Sequence, residues 1–143
     1  MVVPGSLEVL ITCIAGLPGS GKTHLMDEIS AQYPPLRAWA VDDITELGQL
    51  PGVHAVFHLD HLIIADPHFC RESTRVRAET LLTGWYNRPI EWIFFENNPQ
   101  RCRENVHCRN DQRRVLGMIH ILSQLYTIPA GADVRPVYCR IDS

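Results

Sequence analysis

Residues Gly16-Leu17-Pro18-Gly19-Ser20-Gly21-Lys22-Thr23 spell G-x-x-x-x-G-K-T, the spacing of a loop that wraps the phosphates of a nucleotide. The glycines let backbone N–H groups turn inward, and a helix opening at the loop's end adds its positive dipole end. Lys22 is the only lysine, and the other twelve basic residues are arginines. A compact, strongly hydrated ammonium suits β- and γ-phosphates, and the Thr23 hydroxyl suits Mg²⁺. His24 lies on the first helical turn, beside the nucleotide, and reads as a surface residue there and not as a catalyst.

Phosphoryl transfer also needs a group that takes the acceptor's proton and a cation for the developing charge. Asp42 and Asp43 follow the apolar stretch ending at Val41. The C-terminal ends of parallel strands face the binding crevice, so Asp42 is placed there as general base. Asp43 caps the next helix on the acceptor side. Asp66 ends the run Leu62-Ile63-Ile64-Ala65 and is expected near the metal and acceptor; the alternative is a turn residue before Pro67. Arg109, Arg113 and Arg114 flank a break between two helices, where a mobile segment could close over the phosphates. Arg109 comes first and Arg113 second as the lid arginine.

The elements that must hold these groups alternate between apolar runs and helical stretches, which predicts an α/β domain with a parallel sheet. Strands are expected at Leu7–Ala15, Arg37–Val41, Leu62–Ala65, Ile90–Phe95 and Val134–Ile141. Helices are expected from His24 to Gln32 and from Arg71 to Trp85, the latter burying Ala78, Leu81, Leu82 and Trp85. Asp43-Ile44-Thr45-Glu46 resembles a capping box, and residues 53–61 read as loop or helix. Asn98 caps a helix with Pro99 at its first position, running to about His107. Val115, Met118, Ile119, Leu122 and Leu125 mark the buried face of a last helix.

The 143 residues are the size of one domain, and no repeat or linker divides them. No apolar run approaches the roughly 20 residues of a membrane span. The N-terminus lacks a basic lead and runs into the phosphate loop, so the expected location is the cytoplasm. The five cysteines are scattered, which fits reduced thiols. Residues 1–66 carry eight acids against two bases, and residues 67–143 eight acids against eleven. Nine arginines fall between Arg71 and Arg114; most pair with neighbouring glutamates, and two or three are available for phosphate binding.

Gly-Lys-Thr followed by Val-Asp-Asp at 41–43 and Ile-Ile-Ala-Asp-Pro at 63–67 resembles the kinase domain of phage polynucleotide kinases. With Phe-Phe-Glu-Asn-Asn-Pro at 94–99, the chain looks most like small phage kinases that phosphorylate 5-hydroxymethyluracil in DNA. The resemblance implies a P-loop kinase-like three-layer α/β/α fold with five mostly parallel strands. It implies ATP and Mg²⁺, Lys22 on the phosphates, Asp42 as base, Asp66 near the acceptor, and a lid arginine, Arg109, after Asn105. The acceptor it implies is a hydroxymethyl group on a base drawn out of duplex DNA, with Trp39, Phe57 or Phe69 to stack on it. The other readings are a polynucleotide 5′-hydroxyl kinase, a nucleoside or small-metabolite kinase, and a non-catalytic nucleotide-binding regulator.

Overall fold

The computed structural model describes residues 9–35, 37–44, 59–86, 89–107 and 112–139, the side chains of Trp85, Tyr86, Gln112 and Arg113 excepted. The elements run β1 (Leu10–Ala15), α1 (Lys22–Ser30), β2 (Ala38–Val41), β3 (His61–Ile64), a single 3₁₀ turn (Pro67–Cys70) and α2 (Glu72–Tyr86). They continue with β4 (Ile90–Phe95), α3 (Pro99–Val106), α4 (Gln112–Leu125) and β5 (Asp133–Arg135). The five strands form one sheet in the order β2-β3-β1-β4-β5. All four pairings are parallel, where the sequence promised a mostly parallel sheet.

Strand alternation sorts the core into two faces. Ile11, Cys13, Ala15, Leu62, Ile64 and Phe94 point to one side, against Ala78 and Leu82 of α2, Cys102 and Val106 of α3, and Val115, Ile119 and Leu122 of α4. Ile14, Ile63, Ala65, Ile93 and Phe95 point to the other, against Leu25, Met26 and Ile29 of α1. The result is the expected α/β/α sandwich. Tyr126, just past α4, donates its hydroxyl to Ala15 O (3.2 Å) and to Phe95 O, tying the ends of β1 and β4 below the phosphate loop.

Several boundaries differ from the sequence expectation. The last strand is only Asp133–Arg135, because residues 136–139 leave the sheet and cross the phosphate loop. Leu81 and Leu125 are exposed, not buried. Each lies off the stripe that faces the sheet, which Ala78 and Leu82 on α2, and Val115, Ile119 and Leu122 on α4, already fill. The helix after the loop starts at Lys22, two residues early, since the loop's own end is its first turn. The helix expected from Asp43 and most of 53–61 lie outside the described residues.

At the N-terminal end of β3, His61 is buried and bonded on both ring nitrogens, to Thr12 Oγ1 (2.7 Å) and to the Tyr33 hydroxyl (3.0 Å). Desolvation holds its pKa below the ordinary imidazole value, with Glu91 opposing. The fold therefore favours the neutral ring, and the unfolded chain binds the proton more readily. The stabilisation is complete above about pH 6.5, the unfolded imidazole value, and declines as pH falls below it. In urea titrations, lowering pH from about 7.5 to about 5.5 should reduce the midpoint less in His61→Gln than in the wild type. An equal reduction in both would remove His61 as a source of acid sensitivity.

Candidate active site

The phosphate loop takes its shape from glycines that no other residue replaces without strain. Gly19 and Gly21 have φ of +84° and +111°, in the left-handed region. A Cβ on Gly19 would lie 2.7 Å from the Cys102 carbonyl oxygen, and one on Gly21 would lie 2.7 Å from Tyr138 Cβ. The Gly19 obstacle is backbone and cannot swing aside. Gly19→Ala is expected to lower stability by more than the ~1–2 kcal/mol of the left-handed conformation alone. Gly131→Ala, with φ +77° and nothing within 4 Å, should cost only that conformational part. Thermal unfolding of the two variants checks this; equal losses would show that the Cys102 contact carries no cost.

The loop is braced by a bond of its own and by contacts from α3 and from the segment after β5. Ser20 N–H donates to Leu17 O (3.1 Å), and Tyr138 N–H donates to Ser20 O (2.9 Å). The buried Asn105 amide on α3 donates to both Gly19 O (2.9 Å) and Tyr138 O. Val137 N–H donates to Glu96 Oε1 (3.2 Å), holding the crossing segment at the end of β4. The Tyr138 ring lies against His24, with centroids 4.5 Å apart.

Lys22 is half-buried and donates from Nζ to Gly16 O (2.7 Å). Desolvation holds its pKa below the ordinary lysine value, opposed in order by Cys70, Asp66, Cys102 and Asp42. Burial pushes the Cys70 thiol up to about 11 and the Cys102 thiol up to about 12, so both are neutral near pH 7. The opposition that counts is therefore from the carboxylates of Asp66 and Asp42.

The loop opens into a cleft of about 780 Å³, lined by Gly19, Gly21, Lys22, Thr23 and His24. Asp42, Ala65 and Pro67 bound it on the β2–β3 side. Asn105, Arg114, Val115, Met118 and Tyr138 bound it on the other. Lys22 and Asp42 thus share one cleft, as the sequence expected. Asp42 and Asp43 are both exposed. Asp66 is buried, and its carboxylate accepts from Ile44 N–H (2.9 Å) and His68 N–H (2.8 Å). It caps the 3₁₀ turn and ties the end of β2 to the end of β3, so the turn role weighed in the sequence is present. It does not line the cleft, and its electrostatic reach to Lys22 is what it offers the site.

Arg109 lies outside the described residues, as does the side chain of Arg113. Arg114, one residue beyond, is exposed and lines the cleft. Asn105, which the sequence resemblance marked only as the residue ahead of the lid arginine, and Tyr138, for which the sequence carries no signal, also line the cleft, Tyr138 by chain crossing. Phe69, weighed as a stacking residue, is fully buried in the core, and Trp39 packs against it. Phe57 lies outside the described residues.

The fit to a polyphosphate and Mg²⁺ rests on three features. Positive-φ glycines line a cradle that a Cβ would fill. The α1 N-terminus has Gly21 as its cap and no side-chain cap bond on its amides. Thr23 presents an exposed hydroxyl beside the half-buried Lys22 ammonium. No helix among the described residues is long and apolar enough to cross a membrane.

No protein-family model matches the chain. It is 37% identical over 136 residues to the uncharacterized protein R277 of Acanthamoeba polyphaga mimivirus, covering 87% of this chain and 94% of that protein. The chain belongs to the family of that mimivirus protein. Among solved structures it resembles a gluconokinase from Sinorhizobium meliloti 1021, with a TM-score of 0.57 and 12% identity. That likeness covers 95% of this chain and 86% of the gluconokinase. At that identity it is a likeness of fold, and the fold is that of the P-loop kinases.

Proposed function

We propose that the protein is a phosphotransferase that moves the γ-phosphoryl group of ATP to an alcohol with Mg²⁺. The observation that carries this reading is the meeting of Lys22 and Asp42 in one cleft with a glycine cradle between β1 and α1. A nucleotide switch needs the cradle but has no use for a carboxylate poised on the acceptor side. Thr23 would hold Mg²⁺, which supplies neutralisation of charge on the phosphate oxygens. Lys22 holds the phosphates in line, and Asp42 accepts the proton of the attacking hydroxyl. Arg114 brings a positive charge to the phosphate side, the role the sequence assigned to Arg109 and Arg113.

The finer reading, 5-hydroxymethyluracil in DNA as acceptor, comes from the sequence resemblance. In its favour, Arg103 is exposed on α3 and could meet a phosphate backbone. The mimivirus relative accords with a virus-encoded enzyme at work in a host cytoplasm. The test is incubation with γ-labelled ATP and Mg²⁺, with DNA containing 5-hydroxymethyluracil, 5′-hydroxyl DNA, nucleosides, D-gluconate and neutral sugars. Label on the base supports the finer reading, label at 5′ ends a polynucleotide kinase, and label on a small molecule a metabolite kinase. Tight ATP binding with no transfer to any of them would point to the nucleotide-binding regulator.

A further inference from the structure

Charge in the cleft is divided along the sheet. From the central β1, the order runs through β3 and β2 on one side and through β4 and β5 on the other. The β4–β5 side brings Arg114 to the cleft, and the loop brings Lys22. The β2–β3 side brings Asp42, Ala65 and Pro67. No lysine or arginine occurs anywhere between Arg37 and Arg71. The described parts of the connection from β2 to β3 therefore bring no lysine or arginine to the cleft. The same stretch holds Asp42, Asp43, Glu46, Asp60 and Asp66. Arg37 itself sits at the far end of β2, committed to the Asp60 carboxylate through Nε (3.1 Å) and Nη2 (2.8 Å).

Resting on the kinase reading, we propose that the acceptor is an alcohol with no phosphate or carboxylate close to the reacting hydroxyl. Its oxygen forms a bond to the γ-phosphorus as the bond from that phosphorus to the bridging oxygen of the β-phosphate breaks. ADP leaves, and the hydroxyl proton passes to Asp42. An acceptor anion would stand beside Asp42 and the incoming triphosphate together. The cations lining the described cleft, Lys22 and Arg114, are on the phosphate side. Sites that select acidic alcohols place an arginine or lysine against the anion, because an unpaired charge in a narrow cleft is repelled. A neutral sugar, a nucleoside or an extruded nucleobase meets this requirement, while a nucleotide's terminal sugar beside its own phosphate does not.

The test is a set of matched acceptors that differ in one charge, assayed with γ-labelled ATP and, for binding, by calorimetry on the ATP-loaded protein. The pairs are D-glucose with D-glucuronate and thymidine with thymidine 3′-monophosphate, alongside duplex DNA containing 5-hydroxymethyluracil. The neutral member of a pair should lead its anionic partner by about tenfold or more in kcat/KM, or bind where the partner does not. Label on the DNA base also supports the proposal, since the base is uncharged. It is overturned if the anionic member is equal or better, if label appears at DNA 5′ ends, or if a protein that binds ATP neither binds nor phosphorylates any of them. Failure to bind ATP would remove the kinase reading itself, which separates the two failures.

Discussion

Replacing Lys22 by alanine is expected to abolish phosphoryl transfer, lowering kcat/KM for ATP by about 10²–10³-fold. The ammonium is half-buried, pinned by Gly16 O at 2.7 Å and aimed along the loop that the glycines shape. A charge held in so little water acts more strongly on a phosphate than one on the surface. Arginine should not rescue it, since a planar fork does not fit a site shaped for a point charge. Stability should change little, because the side chain makes one bond to the backbone and contributes no core packing. The fold can be checked apart from activity: ATP at one hundred times its Kd adds about 2.7 kcal/mol to the wild type's unfolding free energy, and this increment should vanish in Lys22→Ala. A variant that still turned over ATP at the wild-type rate would remove the phosphate-loop reading and everything built on it.

Asp42→Asn is expected to lower kcat by about 10²–10⁴-fold while leaving the Kd for ATP within a factor of about three. The amide keeps the shape of the carboxylate but cannot take a proton. Asp42 is exposed at the cleft wall and has no structural bond among those described above, so the fold should be unaffected. Asp66→Asn should behave differently. Its carboxylate accepts two backbone N–H bonds and ties β2 to the turn after β3, so stability should fall together with rate. Rate loss without stability loss at position 42, and both losses at position 66, separate the base from the cap. Equal rates for Asp42→Asn and wild type would move the base assignment elsewhere.

Much of this site was legible because its parts are local. A G-x-x-x-x-G-K-T string does its work through consecutive amides and one side chain, so its chemistry is written in adjacent residues. The same holds for the Asn98 cap, whose side chain accepts from Arg101 N–H at 3.1 Å, and for the buried runs that became β3 and β4. Asp42 was placed because strand ends in a parallel sheet share one side, a rule of topology and not of contact. Where the sequence erred, the cause was a competing tertiary demand. The segment after Val134 has the composition of a strand, yet it leaves the sheet once Tyr138 N–H finds Ser20 O.

From its sequence alone, this chain declared an α/β unit with a glycine-rich loop between its first strand and first helix, and it set Asp42 at the strand end that faces the cleft opening from that loop. Only the folded chain decided that Arg114 reaches the cleft, that Asn105 and Tyr138 clamp the loop from distant positions, and that Asp66 spends its carboxylate on backbone amides. Those roles depend on which segments cross in space. Such crossings arise from the packing of a whole core, and no short window of residues encodes them.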